Sequence, residues 1–199
     1  MRLYRLIGGA IISIAVASWS SIASAQDEFS SRTSCYLGLG GTFAHLLDAE
    51  DELPSNPSID DSLGLNVRLG CLGGVAGGEV RYEYLDGFDV KDDNRKYTID
   101  GWSMTLDLKL YPMRFFDDQL PPLARRFQPF ATLGFGILKL DSSGQLDDWD
   151  FAARYGGGLD FYVTRNFGIS TDVTVVDPMS DSLEDGEYLS FGWGVFYLY

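Results

Sequence analysis

Residues 78–85 read GEVRYEYL, and the alternation along this stretch decides the fold. Apolar and charged side chains separate onto two faces, Val80, Tyr82 and Tyr84 against Glu79, Arg81 and Glu83. A period of two residues is that of a β-strand, whose successive side chains point to opposite faces of the sheet. The stretch therefore predicts a strand that lies between an apolar and a polar environment.

The same alternation recurs in segments that turn-rich stretches separate. It predicts eight strands: Ser34–His45, Leu63–Leu72, Gly78–Leu85, Thr98–Tyr111, Phe127–Leu140, Asp150–Tyr162, Phe167–Val176 and Tyr188–Tyr199. Their lengths, 8 to 14 residues, bracket the roughly 9–11 residues that a tilted strand needs to cross a bilayer. The pattern therefore predicts strands that span a membrane.

The predicted connections alternate in length. The long ones are Leu46–Ser62, Asp86–Tyr97, Asp141–Asp148 and Asp177–Glu187, and the tight ones are Gly73–Gly77 and Val163–Asn166. An even number of strands with long loops on one side and short turns on the other is typical of an outer-membrane barrel. Pro112–Arg126 breaks this rule because it is long where a short periplasmic turn is expected, and the sequence favours either a small amphipathic flap or a loose loop there.

The polar face of these strands carries glycine and charge together, with Gly134 and Gly192 as examples. A solvent-exposed face has no need of such small residues, whereas the interior of an eight-stranded barrel is barely wide enough for side chains. We therefore predict a luminal charge network of Arg68, Glu79, Arg81, Glu83, Asp107, Lys109, Arg154, Asp160 and Asp172. Four bases against five acids nearly balance, as charges in a confined, partly dry space must. The fold class that follows is all-β, an eight-stranded antiparallel up-and-down transmembrane β-barrel with long extracellular loops.

The N-terminus predicts export. Arg2 and Arg5 precede an apolar run over residues 6–17 and then Ala23-Ser24-Ala25, which is the order of a secretory signal. The run is shorter than the roughly 20 residues of a spanning helix, although a retained membrane anchor is the alternative. We predict a cleaved signal peptide over residues 1–25, a short leader over 26–33 and one barrel domain over 34–199.

The charge balance restricts the partners. Removal of Arg2 and Arg5 with the signal leaves 13 basic residues against 29 acidic ones, a formal charge of −16, which argues against a nucleic-acid partner. The predicted loops Leu46–Ser62 and Asp177–Glu187 hold no basic residue. These acidic loops either attract cations at the lipopolysaccharide surface or form a solvated surface that stays off the membrane.

The chain has two cysteines and one histidine, and we consider each as a candidate reactive residue. Cys35 and Cys71 would face each other near the periplasmic rim, either as a disulfide in an oxidising compartment or as two free thiols. His45 would need a serine and an orienting acid beside it to act as a lipid A deacylase does, and no serine is placed by the pattern. We therefore predict no catalytic residue, no cofactor and no metal.

Three stretches carry a family resemblance. FQPFATLGFG (Phe127–Gly136), LDLKLYP (Leu106–Pro112) and the aromatic last strand resemble the small OmpA-like and OmpW-like barrels of the porin-like outer-membrane proteins. The resemblance implies residence in the cell outer membrane and recognition of the C-terminal strand by the barrel-assembly machinery. The residues implied as that assembly signal are Phe191, Trp193, Val195, Tyr197 and Tyr199. Phenylalanine is the commonest last residue in such proteins, so Tyr199 departs from the pattern.

Three functional hypotheses follow. The first is a non-enzymatic integral outer-membrane protein that contributes to envelope integrity or surface interaction, with a lumen filled by its charged network. The second is an OmpW-like channel for small apolar solutes, for which Leu138, Leu140, Phe196 and Leu198 on the inward face would supply apolar lining. The third is a lipid A-modifying enzyme. The partners expected are outer-membrane lipid, lipopolysaccharide and the assembly machinery, and the sequence identifies no extracellular partner.

Overall fold

The protein is a β-barrel. The computed structural model describes residues 33–47, 58–59, 61–92, 95–142, 146–179 and 187–199. The strands are β1 Ser34–Leu46, β2 Ser58–Ile59, β3 Ser62–Gly73, β4 Ala76–Asp92, β5 Arg95–Leu110, β6 Phe127–Ser142, β7 Leu146–Tyr162, β8 Phe167–Pro178 and β9 Tyr188–Leu198. β2 is a two-residue strand beside β4, and the other eight form the barrel wall. The predicted signal and most of the predicted leader, residues 1–32, lie outside the described residues.

The barrel closes through its first and last strands. Each wall strand pairs antiparallel with its neighbours along the chain, and β9 pairs with β1 from Tyr36↔Leu198 to Leu46↔Tyr188. Closure leaves no unpaired edge in the wall, which the water-free core of a bilayer requires of any spanning sheet. The predicted eight-stranded antiparallel barrel is confirmed.

The wall extends further than predicted at the end opposite both termini. β4 and β5 pair as far as Asp92↔Arg95, and β6 and β7 as far as Ser142↔Leu146. Most of residues 86–97 and 141–148 are therefore strand, although the sequence predicts loops there. The pair register shifts between Leu85 and Phe88, and Gly87 has φ 71°. Residues Asp86 and Gly87 thus form a β-bulge, in which the glycine takes the left-handed conformation, and the strand continues beyond it.

The long connection between β5 and β6 is folded. It forms two 3₁₀-helical turns, Pro112–Gln119 and Ala124–Arg126. Arg114 donates from Nη1 to the Gly74 carbonyl at 2.9 Å and from Nη2 to the Tyr162 hydroxyl at 3.0 Å. These partners belong to the turn before β4 and to the end of β7, the strands beside β5 and β6, so the connection packs against this part of the barrel rim on the side of the termini. Of the two alternatives from the sequence, the structure shows the flap. No helix among the described residues is long and apolar enough to span a membrane.

Side chains fill the lumen in three levels. The level nearest the termini, here called the lower cluster, consists of Tyr36, Leu72, Tyr111, Phe130, Tyr162, Phe196 and Leu198. The upper cluster, at the far end, consists of Ala44, Leu46, Leu85, Phe88, Leu138, Leu140, Ala152, Val176 and Tyr188. A charged level lies between them. Large apolar residues such as Leu39, Leu65 and Leu106 are exposed on the outer wall, so the polar environment lies inside and the apolar one outside.

Candidate functional site

The charged level is built around Asp172, a buried residue of β8. Arg81 donates from Nη1 to Asp172 Oδ1 at 2.8 Å and from Nη2 to Oδ2 at 2.6 Å, a bidentate pair across the lumen. Nη1 of Arg68 lies 3.0 Å from the same Oδ2. Two guanidinium groups therefore share one carboxylate, and paired, charge-assisted hydrogen bonds of this kind are the strong ones in proteins.

Glu79 occupies the side of the charged level that faces the lower cluster. Lys109 donates from Nζ to Glu79 Oε2 at 2.8 Å, and the Tyr36 hydroxyl donates to the same oxygen. The Lys109 ammonium also lies 4.3 Å from the centre of the Phe130 ring, within the range of a cation–π contact. This acid–base pair thus joins the charged level to the aromatic residues below it.

Glu83 holds the side of the charged level that faces the upper cluster. Arg154, which is fully buried, donates from Nη2 to Glu83 Oε1 at 3.0 Å. The Tyr188 hydroxyl donates to Oε1 and the Thr42 hydroxyl to Oε2, each at 3.2 Å. The Glu83 carboxylate of β4 is therefore surrounded by donors from three other strands, β1, β7 and β9, which ties the far sides of the barrel together.

Two of the nine predicted charges make no ion pair with the other charged residues that the structure describes. Asp160 accepts hydrogen bonds from the Ser170 hydroxyl at 2.6 Å and the Tyr111 hydroxyl at 2.8 Å. Oδ1 of Asp107 has no hydrogen-bond partner among the described residues. The structure brings the other seven together in the contacts above, and it places all nine inside the lumen.

Hydroxyl groups complete the charged level, and sequence reasoning did not select them. Tyr36, Tyr111 and Tyr188 are buried and bonded to luminal acids. The sequence does contain this information. Tyr36 lies on the same face of its strand as Gly38, and Tyr188 lies on the same face as Ser190 and Gly192. The inward aromatic residues could therefore have been predicted from their positions in the alternation alone.

Glycines leave the space that these side chains occupy. A Cβ on Gly134 would lie 1.9 Å from Oδ1 of Asp107, and one on Gly168 would lie 2.2 Å from the Phe196 ring. Since packed interiors tolerate no such overlap, the inward glycines are a steric requirement of the filled lumen.

The last strand forms the outer seam. Phe191, Trp193, Val195 and Tyr197 of β9 are exposed on the outer wall, and Tyr199 follows directly after the strand. The Trp193 indole covers Gly41 of β1, where a Cβ would lie 2.0 Å from the ring. The residues predicted as an assembly signal therefore share one apolar face along the strand pair that closes the barrel.

Comparison with known proteins identifies the family. The profile of the family described as "outer membrane protein beta-barrel domain" matches residues 11–197. The chain belongs to this outer-membrane β-barrel family. It therefore resides in the cell outer membrane, and its outer wall faces outer-membrane lipid. In such barrels the short turns face the periplasm, so the lower cluster and the flap lie at the periplasmic end.

Solved structures of outer-membrane barrels share the fold. Neisserial surface protein A superposes with a TM-score of 0.57 at 12% identity, covering 84% of this chain and 99% of that one. OprG of Pseudomonas aeruginosa gives 0.56 at 16% identity, with 85% and 97% covered. The N-terminal barrel domain of OprF from the same organism gives 0.52 at 14% identity, with 86% and 100% covered. No curated protein matches this outer-membrane barrel in sequence.

A small cavity lies between the charged level and the lower cluster of this outer-membrane barrel. Tyr36, Arg68, Glu79 and Lys109 are among the residues that line it. Its volume of about 10 Å³ is close to the least that can hold one water molecule. Nη2 of Arg68 and Oε1 of Glu79 have no hydrogen-bond partner among the described residues, so a single water there has polar groups to bind.

The steric role of the inward glycines predicts that Gly168→Ala destabilises the barrel by about 1–3 kcal/mol, because the new methyl group must displace the Phe196 ring. Gly78→Ala is the matched control, since a Cβ on Gly78 meets nothing within 4 Å. Urea unfolding in detergent micelles, followed by tryptophan fluorescence, measures both. Equal effects of the two substitutions would contradict steric filling at Gly168.

The two cysteines join β1 to β3 near the periplasmic rim. Cys35 and Cys71 are directly paired positions, and their Sγ atoms lie 2.07 Å apart in a disulfide. The disulfide closes a chain segment with a sequence separation of 36. Of the two states that the sequence left open, the structure has the bonded one.

Replacing both Cys35 and Cys71 by serine should lower the free energy of unfolding by about 3 kcal/mol, because the unfolded chain loses the restraint of a long closed loop. Unfolding midpoints of the oxidised wild type and the double variant provide the measurement. A reductant should destabilise the wild type to the same extent and leave the variant unchanged. Identical midpoints for oxidised wild type and variant would refute the effect.

His45 lies on the outer wall at the extracellular end, with Nδ1 2.7 Å from Oδ1 of Asp61. Both side chains are about half exposed. Ser62 and Ser190, the serines at the neighbouring pair positions, are buried in the lumen. The described part of the outer wall therefore provides a histidine and an acid without a serine nucleophile beside them. It also holds no cluster of three or more metal-ligating side chains.

Proposed function

We propose that this outer-membrane barrel is a non-enzymatic protein of the cell envelope that acts through its outer surfaces and conducts no solute. The observation that carries the proposal is the filling of the lumen at three successive levels. Two apolar clusters close the ends, and the bidentate Arg81–Asp172 pair crosses the middle. What remains accessible is the wall, the extracellular rim and the periplasmic flap.

A channel for apolar solutes is the second hypothesis, and the packing of the upper cluster weighs against it. Leu138 and Leu140 do face inward, as such a channel requires, but both are buried. Phe88 and Tyr188 are fully buried beside them, with ring centres 6.5 Å apart. Within the described residues, these apolar side chains pack against one another across the upper lumen, which weighs against an open apolar lining there.

An enzymatic role in lipid A modification has even less support. The His45–Asp61 pair could orient a general base, but acyl chemistry of that type also needs a nucleophile within hydrogen-bond reach. The neighbouring serines face the lumen, on the other side of the wall. The pair is better suited to a polar contact at the lipid–water interface.

The surfaces of the protein indicate its partners. Outer-membrane lipid covers the wall, with lipopolysaccharide at the extracellular rim. The apolar seam of β9, ending at Tyr199, suits recognition by the barrel-assembly machinery during biogenesis. A formal charge of −14 on the whole chain opposes contact with nucleic acid.

Gene deletion with two complementing forms tests the proposed role. We expect the deleted strain to take up more of a hydrophobic dye or to adhere less to a test surface, and the wild-type gene to restore whichever property is lost. A second form replaces residues 48–57 and 180–186 by short turns and leaves the barrel intact. Rescue by this form assigns envelope integrity to the barrel, and failure of rescue assigns surface interaction to the loops.

Two results would overturn the proposed role. One is a deleted strain that differs from wild type only in uptake of a small apolar solute, which would favour the channel. The other is an altered lipid A mass spectrum that depends on His45, which would favour the enzyme.

A further inference from the structure

The periplasmic flap exposes apolar side chains that the barrel does not use. Phe115, Phe116 and Leu123 are 70%, 56% and 68% exposed. They lie on the folded connection between β5 and β6, outside the strands of the wall. Exposed apolar groups clustered on one element mark a surface that contacts a membrane or another molecule.

The geometry of the first turn separates a face that holds the barrel from faces that do not. A 3₁₀-helix has three residues per turn, so Arg114 and Asp117 share one face. Arg114 bonds to Gly74 and Tyr162, and Asp117 is buried with Oδ1 3.4 Å from Nε2 of Gln128. With this face turned to the barrel, Phe115 and Phe116 lie on the two faces that point away.

The flap joins the wall at two residues that face lipid. The flap begins after Leu110, the last residue of β5, and ends before Phe127, the first residue of β6. Both of these residues are exposed on the outer wall. Both ends of the flap therefore adjoin the lipid-facing wall at the periplasmic rim, which places its exposed faces within reach of the periplasmic leaflet.

The charge of the flap suits that leaflet. Residues 112–126 hold three arginines and two aspartates in a chain that is otherwise strongly acidic. Arg125 donates from Nε to the Leu120 carbonyl at 2.9 Å, and Arg126 donates from Nη1 to the Val163 carbonyl at 3.4 Å. Each of these contacts uses one of the five donors of a guanidinium group, and neither involves an acidic side chain.

We propose that residues 112–126 form a membrane-contacting foot, which seats Phe115, Phe116 and Leu123 in the periplasmic leaflet and binds anionic phospholipid headgroups through Arg125 and Arg126. Apolar side chains beside basic ones are the combination by which interfacial segments bind anionic lipid surfaces. The foot gives the filled barrel a second lipid contact, below its wall.

Spin labels on single introduced cysteines test the seating. The two native cysteines are joined in the disulfide, so Phe116→Cys or Leu123→Cys provides one reactive thiol. Arg165→Cys, on the exposed turn between β7 and β8 at the same rim, is the matched control. In nanodiscs of phosphatidylglycerol we expect labels at 116 and 123 to be several-fold less accessible to a water-soluble nickel chelate than the label at 165, and several-fold more accessible to oxygen.

Equal chelate accessibility at all three sites would overturn the proposal. Labels that are accessible in nanodiscs and protected only in isolated outer membranes would assign the surface to a periplasmic protein, which also overturns it. Heat-shifted mobility of each labelled variant in gel electrophoresis establishes that the barrel has folded.

Lipid composition tests the headgroup contact. Thermal unfolding midpoints of the wild type should be several degrees higher in phosphatidylglycerol than in phosphatidylcholine nanodiscs. The Arg125→Gln, Arg126→Gln double variant should lose this difference, and Arg165→Gln should keep it. Equal midpoints in the two lipids, or equal losses in both variants, would contradict headgroup binding by Arg125 and Arg126.

Discussion

Replacing Asp172 by asparagine is expected to lower the free energy of unfolding by about 3–5 kcal/mol, the usual loss when one partner of a buried ion pair is removed. The Asp172 carboxylate accepts two hydrogen bonds from Arg81 and lies within 3.0 Å of Arg68. Asparagine keeps the shape but removes the charge that the two guanidinium groups share, and Arg81 then keeps only the longer contact with Glu79, Nε to Oε1 at 3.5 Å. Denaturant unfolding in detergent micelles measures the loss.

The control for Asp172→Asn is Asp107→Asn, the same substitution at another acidic residue of the charged level. Asp107 is buried in the lumen, yet its Oδ1 has no hydrogen-bond partner within the described residues. Asp107→Asn should therefore change stability by less than about 1 kcal/mol, since no paired charge is left behind. Similar losses at the two positions would show that the pairing around Asp172 does not stabilise the barrel.

The second large effect is expected on the outer wall. Val173 lies midway along β8, next to Asp172 of the charged level, and is 46% exposed. It pairs with Gly157 and Phe191. Val173→Arg should cost about 2–4 kcal/mol, because the charge enters the apolar centre of the bilayer. Unfolding in phospholipid vesicles measures the change.

Leu63→Arg provides the matched control. Leu63 also faces outward and is 63% exposed, but it lies near the extracellular end of β3. An arginine close to the interface should cost about 0–1 kcal/mol. If both substitutions cost the same, the depth of these residues in the membrane is not as we describe.

The sequence predicted the wall well because its signal is local. Alternation over Glu79, Arg81 and Glu83 requires only that neighbouring side chains point to opposite faces, and closure of the sheet follows from eight such strands. The alternation of inward and outward side chains is interrupted at the Leu85–Phe88 bulge. There one extra residue restores Phe88 to the lumen, although an unbroken alternation would place it outside.

The partners within the lumen could not be predicted in the same way. The alternation along a strand assigns a residue to the inner face of the barrel. It does not give the height of the side chain along the barrel axis or its direction around that axis. Arg81 and Asp172 are 91 residues apart in sequence and meet only after closure. For residues 112–126 the sequence left a flap and a loose loop open, because the folded state depends on contacts of Arg114 with Gly74 and Tyr162 from other parts of the barrel.

Conductance across a planar lipid bilayer tests the filled lumen most directly. With two apolar clusters and the Arg81–Asp172 pair closing the barrel, the purified wild-type protein should insert without producing steady unitary current steps. Steady unitary steps from the wild type that Arg81→Ala or Glu83→Ala abolishes would contradict the filled lumen, and would show that the charged level lines an open path.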